Sequence, residues 1–279
     1  MLVSVRDLQG YAIAATDGDI GSVHDVYFDA QRWTVRYLVV DTGNWLPGRK
    51  VLISPMSTRG AVTADKRLAV RLTRVQVESS PEADTEGPIT RQYESRLVRH
   101  YGLDPYWLGP LRWGAVPYPL EVVPPGAVTP PVDPGVEEAL AREGLDNVGD
   151  PHVEGTARGE GQLHSAREVI GSGIQATDGE LGHVEDFLID DRSWAIRYMI
   201  VDTANWLPGK KVLVAPEWIS LVSWADSRVH VSMSREQIKN APEYDPSRPV
   251  EREHERRLWQ YYERPPYWED EPEDRDRAA

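Results

Sequence analysis

An internal repeat constrains this chain more than any other feature. Ala15-Thr16-Asp17-Gly18-Asp19-Ile20-Gly21 returns as Ala176-Thr177-Asp178-Gly179-Glu180-Leu181-Gly182, and Asn44-Trp45-Leu46-Pro47-Gly48 returns unchanged as Asn205-Trp206-Leu207-Pro208-Gly209. The offset of ~161 residues holds without gaps from Ser4/Ser165 to Trp107/Trp268, with roughly 45 identities over about 104 positions. A chain of 279 residues must therefore be built from one unit used twice. Met1 lies just ahead of the first matched position, so no cleavable leader is expected.

Within one unit the pattern is that of short strands. Thr16-Asp17-Gly18 is a hairpin signal, because Asp-Gly accepts the positive φ of a tight turn. Ile20, Val23, Val26 and Phe28 then alternate with polar residues, and Gly21 marks a bulge. Trp33–Asp41 is dense in β-branched and aromatic residues, as expected of a strand covered on both faces. Lys50–Ser54 and Leu68–Leu72 supply further strands. Thr73…Gln76 and Ser234…Gln237 carry the spacing of a reciprocal helix cap. Arg91–Tyr101 and Arg252–Tyr262 read as charged helices, each followed by Tyr-Trp. The expected fold is mainly β, with two small antiparallel barrels in tandem, each with a short C-terminal helix.

The implied organisation is barrel 1 over 1–80, its helical extension over 81–107, an acidic Pro/Gly-rich linker over 108–164, barrel 2 over 165–241, its extension over 242–268 and an acidic, disordered tail over 269–279. A short helical turn within the linker is expected at Val136–Glu143. The repeats differ at one place. Pro216-Glu217-Trp218-Ile219 and an apolar, strand-like stretch with Leu221, Val222 and Trp224 stand where the first copy has Pro55-Met56-Ser57-Thr58-Arg59-Gly60, which is poorer in apolar residues, so the second barrel is expected to be the better packed.

These residues resemble the PRC-barrel family, which includes the cytoplasmic domain of the photosynthetic reaction-centre H subunit and the C-terminal domain of the ribosome-maturation factor RimM. The resemblance rests on the Asp17–Asp25 and Asp178–Asp186 openings, the Trp33–Thr42 and Trp194–Thr203 strands, and the Trp-Leu-Pro-Gly loops with the strands after them. It implies a small β-barrel that works through protein–protein contacts. The helix ending in Tyr-Trp is similar to an accessory of stand-alone bacterial members.

Composition narrows the chemistry. With no cysteine there is neither a disulfide framework nor a thiolate site, and a reducing, cytoplasmic compartment is expected. No apolar run reaches bilayer length, so no transmembrane segment is expected. The net charge of −14 sits mainly in the linker and tail, and no basic stripe offers itself to phosphates, so direct nucleic-acid binding is not expected. Asp17/Asp19 and Asp178/Glu180 fit turn chemistry better than a calcium loop. Asp25, Asp29 and Asp41 and their counterparts read as strand ends and solvated faces rather than a catalytic pair. The histidines do not recur at equivalent positions or at metal-binding helical spacing. No enzyme site, metal or cofactor is expected.

Arg36 and Arg197, inside apolar strands, call for a structural pairing with Asp41 and Asp202 or with another acid. Trp45, Leu46, Trp206 and Leu207, at the tips of tight loops, either fill a barrel mouth or anchor another protein. The leading expectation is a non-enzymatic interaction or assembly module with a protein partner, its barrels pairing within the chain or between copies, at the cytoplasmic face of a membrane complex. The alternative is a small-ligand or anion sensor using a cleft between the barrels, with Arg36 and Arg197 as contacts.

Overall fold

The computed structural model describes residues 1–60, 65–83, 89–114, 116–119, 163–203 and 210–270. It is mainly β, and it divides into two compact units. The N-repeat unit comprises Val5–Arg167 and Asp190–Ala195; the C-repeat unit comprises Met1–Ser4, Glu168–Ile189 and Ile196–Ala279.

In the N-repeat unit a one-turn helix, α1 (Val5–Leu8), leads into β2 (Ala12–Ala15), β3 (Gly18–Asp29), β4 (Thr34–Asp41), β5 (Lys50–Ile53) and β6 (Arg67–Ala69). Their order in the sheet is β5-β4-β3-β2-β6. The β2–β3 hairpin turns on Asp17-Gly18, with the register slipping between Ile13 and Ala14, opposite Gly21 and Asp19. Gly21 is required there: its φ is 157° and an added Cβ would overlap the Asp41 carbonyl. β4 is buried along nearly its whole length, which explains its continuous apolar run. Trp33, read from sequence as the first residue of that strand, instead sits in the turn before it at φ 44°, its ring stacked on Phe28 at 5.4 Å.

Neither sheet is a purely antiparallel closed barrel. β2 and β6 pair in parallel, as do β8 (Gly173–Ala176) and β13 (Arg228–Val231) in the other unit. A crossover from β2 to β6 brings β6 in beside β2 running the same way, and strand alternation alone does not encode that direction.

The C-repeat unit has the same order with one more strand: β11 (Lys211–Val214), β10 (Ile196–Asp202), β9 (Gly179–Asp190), β8, β13 and β12 (Ile219–Ser223). β12 is formed by the strand-like stretch of the second copy. Before it, Pro216–Trp218 forms a 3-10 turn that sends Trp218 into the core, 4.9 Å from Trp259 and 4.5 Å from Tyr262 between ring centroids.

The units do not follow the boundaries drawn from the repeat. β1 (Leu2–Ser4) pairs with β9, while β7 (Leu163–Ser165) pairs with β3 in the register Tyr27↔Ser165, Phe28↔His164, Asp29↔Leu163. Each unit thus takes a strand from the start of the other repeat. The repeat marks which segments share an ancestry in sequence, and strand pairing is free to join either copy. The linker differs from expectation at its near end as well. Trp113 is fully buried, its indole N–H donating to the Ser193 carbonyl at 2.9 Å, so this stretch contributes to a core. The helical turn at 136–143 and nearly all of the acidic tail lie outside the described residues.

Helices close each unit. α2 (Arg74–Glu78) and α5 (Arg235–Asn240) have the reciprocal caps, Thr73 with Gln76 and Ser234 with Gln237. The hairpin aspartates serve them too: Asp17 Oδ1 accepts from the Arg74 amide at 2.8 Å and Asp178 Oδ1 from the Arg235 amide at 2.7 Å. α3 (Arg91–Tyr101) and α6 (Arg252–Tyr261) follow, the second succeeded by α7 (Tyr267–Asp270); the remaining short helix, α4, is Ala166–Val169.

Candidate interaction surface

The two strand arginines are structural. Arg36 is fully buried; its Nη2 lies 3.0 Å from Asp29 Oδ2 and its Nη1 donates to the Arg112 carbonyl at 2.6 Å. The guanidinium stacks 3.9 Å from the centre of the Tyr106 ring. The acid it pairs with is therefore Asp29, at the end of the preceding strand, and not Asp41, whose carboxylate accepts from the Gly43 amide. Arg197 repeats the stacking, 3.9 Å from the centre of Tyr267. Buried at 0% and 4% exposure, neither guanidinium offers an open contact to an anion.

Those arginines belong to a buried network that recurs in both units. Glu94 on α3 accepts from Tyr106 Oη at 2.7 Å and lies 3.0 Å from Arg91 Nη1. Burial pushes its carboxyl up to about 7, against the pull of Arg91, Tyr106, Tyr37 and Arg36. Glu255 on α6 accepts from Tyr198 Oη at 2.9 Å and Tyr267 Oη at 3.0 Å, and Arg252 lies at 3.0 Å. Its carboxyl is raised as well, again chiefly by burial. Trp107 and Trp268 complete each network, stacked on Arg91 at 4.2 Å and on Arg252 at 4.3 Å. The Arg-Tyr pair of the strand and the terminal Tyr-Trp of each repeat are thus two halves of one clamp that seats the helix on its sheet. The sequence displayed both halves without linking them, because they lie some seventy residues apart.

The Asn44–Gly48 loop is held by Thr42, whose Oγ1 lies 2.7 Å from the carbonyls of both Leu46 and Arg49. Trp45 is half-buried, with the Arg74 guanidinium 4.5 Å from its ring centre. Leu46, also half-buried, lines a surface groove of about 600 Å³ with Pro47, Gly48, Arg49, Lys50, Glu82 and Ala83. Arg49 donates to the carbonyls of Glu78 and Ser80, which ties the groove wall to the end of α2. Val75, 68% exposed, lies next in sequence to the arginine that holds Trp45. Trp206 and Leu207 lie outside the described residues.

Sequence reasoning passed over a second surface. Leu221 on β12 and Trp224 just after it are 58% and 41% exposed. The signal was present in the apolar stretch of the second copy, where alternation alone does not say which face meets solvent.

Among the described residues, no group of His, Cys, Asp and Glu side chains is arranged to hold a metal ion. No described helix is long and apolar enough to cross a membrane. The geometry defines a class first: a β-rich domain whose sheet is closed off by a clamped helix, with its surface features carried on loops and a strand edge. Residues 2–74 match the PRC-barrel domain, so the N-terminal repeat contains that domain. No curated protein matches the chain.

Proposed function

We propose that this chain is a non-enzymatic protein-interaction or assembly module with one PRC-barrel domain per repeat, working in the cytoplasm and docking on a membrane-bound protein complex. The observation that carries this reading is the Trp45–Leu46 loop. A tryptophan stacked on a guanidinium beside a groove is positioned as an aromatic anchor, and that stacking lowers the cost of ordering the ring when a partner arrives. The shared clamp in both repeats supports it as well: the polar groups best suited to acid–base chemistry are buried and spent on seating a helix. The second repeat, aligned with the first through 45 identities, is read as the same domain.

The test is affinity purification from the native cell with the wild-type chain and with Trp45→Ala/Leu46→Ala. Loss of a hot-spot tryptophan weakens a complex by about thirtyfold or more. A partner recovered by the wild type should disappear from the double variant while the thermal midpoint of the variant stays unchanged. Equal recovery by both chains would rule out this loop as the anchor.

A further inference from the structure

Helix α6 and the chain that leads into it, residues 243–251, enclose a surface cavity of about 190 Å³ in the C-repeat unit. Glu251, His254 and Arg257 line it from the helix, and their spacing of three residues sets them in one row along its face. Glu251 is the N-cap, and its side chain makes no capping hydrogen bond. His254 Nε2 is buried without a hydrogen-bond partner. Arg252 and Arg256 on the same helix pair with Glu255 and Glu253. Arg257 is exposed and, among the described residues, belongs to no ion pair.

The first repeat fills these positions differently. Thr90 stands where Glu251 does and caps its helix, accepting from the Tyr93 amide at 3.2 Å. Tyr93 stands where His254 does; it is buried, and its hydroxyl donates to the Pro81 carbonyl at 3.1 Å. Arg96, the equivalent of Arg257, lies 5.8 Å from the centre of that ring. The start of α3 is thus satisfied from within the chain. In the second repeat the smaller imidazole leaves Nε2 unbonded, and the same row of side chains lines a cavity. A buried polar atom without a partner costs stability, and a ligand atom reaching into the cavity recovers it.

The charges of the lining define the ligand. Two arginines, Arg248 and Arg257, stand against three carboxylates, Glu243, Asp245 and Glu251, so the lining favours neither a simple anion nor a simple cation. Asp245 is already engaged, accepting from the Ser247 amide at 2.9 Å and the Ser247 hydroxyl at 2.6 Å. Along the helix row the signs are ordered, with a carboxylate at Glu251, an imidazole at His254 and a guanidinium at Arg257. Burial and then Arg257 lower the His254 ring below its ordinary 6.5, so near neutral pH it bonds without charge. From residue 251 to residue 257 the helix rises about 9 Å, room for two ligand charges set a few bonds apart. We propose that this cavity binds a small zwitterion whose ammonium and carboxylate are joined by a short apolar chain. The ammonium meets Glu251, the carboxylate meets Arg257 and the His254 N–H, and half-buried Val250 covers the chain.

The experiment titrates 4-aminobutyrate into the full chain, with butyrate and butylammonium in parallel, and follows the amide resonances of α6 by NMR. Saturable binding in the millimolar range is expected for 4-aminobutyrate. Each half alone should bind roughly tenfold more weakly, because one hydrogen bond to a charged group is lost. His254→Tyr, which installs the residue of the first repeat, should abolish binding without lowering the thermal midpoint. Arg257→Gln, on the exposed surface, should weaken 4-aminobutyrate and butyrate and leave butylammonium unaffected; Glu251→Thr should do the converse. The proposal fails if 4-aminobutyrate shows no saturable binding, if either half binds as tightly as the whole, or if His254→Tyr and Arg257→Gln both bind normally. Trp45→Ala/Leu46→Ala should bind 4-aminobutyrate as the wild type does, so this cavity and the loop stand or fall separately.

Discussion

The hydroxyl of Ser165 donates a hydrogen bond to the carboxylate of Asp25, across 140 residues of chain. Both side chains are buried, and the other carboxylate oxygen accepts from the Val26 amide at 2.8 Å and the Arg167 amide at 3.4 Å. Burial raises the Asp25 carboxyl, so the site depends on these donors to hold the charged form. Ser165→Ala removes one of them and leaves a buried carboxylate under-satisfied, which costs about 1–3 kcal/mol. Urea unfolding should register that loss, and amide exchange should quicken at Leu163–Ser165 before it does in β4. Uniform loosening of the unit would show that β7 is no separate element.

His164, the middle residue of the same strand, makes that pairing sensitive to acid. Its ring packs against Phe28 at 6.2 Å, and burial pulls its pKa down to about 4, while Asp29 pulls the other way. The folded state holds the ring neutral, so the stability it contributes is complete above the ordinary value of 6.5 and is lost as pH falls from there towards about 4. β7 should therefore exchange faster at about pH 5 than at about pH 7 after correction for intrinsic rates, and His164→Gln should remove the difference.

Much of this architecture was legible in the residues. The Asp-Gly turns, the reciprocal caps at Thr73 and Ser234 and the strand-like stretch after Trp218 each have a local signature. What escaped was non-local. Leu2-Val3-Ser4 and Leu163-His164-Ser165 carry no periodicity that says which sheet they join, and the sequence left open which acid Arg36 meets, Asp41 or another, until the turn was seen to bring Asp29 to it. Trp113 sits among prolines, where composition argues against a core, yet one indole with a single well-placed acceptor is enough to be buried. The loop residues Trp45 and Leu46 were identified by their repetition; Leu221 and Trp224 were not, because only the sheet order reveals an edge.

Gly182 offers a backbone test in the C-repeat unit. It occupies the left-handed region at φ 58°, and a Cβ there would overlap the Asp202 carbonyl of the neighbouring strand. Gly182→Ala must strain φ and push β9 off β10 together, at a cost of several kcal/mol. The expected result is a sharply lowered urea midpoint. Gly171→Ala is the control, since it shares a positive φ of 95° but meets nothing within 4 Å; it should cost much less. Equal effects would mean that conformational strain alone, and not the close approach of the strands, sets the requirement.

The Glu94 clamp predicts how stability changes near neutral pH. In the unfolded chain the carboxyl ionises around its ordinary 4.5, whereas in the folded protein burial holds it protonated up to about 7. Between those values the folded state carries the additional proton, so stability falls as pH rises through the window and levels off above it. For this fully buried group the change is roughly 3 kcal/mol across the window. Glu94→Gln keeps the shape and an acceptor for Tyr106 while removing the titration, so its urea midpoint should stay nearly level from about pH 5 to about pH 8 where that of the wild type declines. Glu255→Gln should flatten a decline of the same sign, because burial raises that carboxyl too. A wild-type midpoint that instead climbed with pH and lost its climb on Glu94→Gln would mean that Arg91, Tyr106 and Tyr37 outweigh burial, with the clamp ionised throughout.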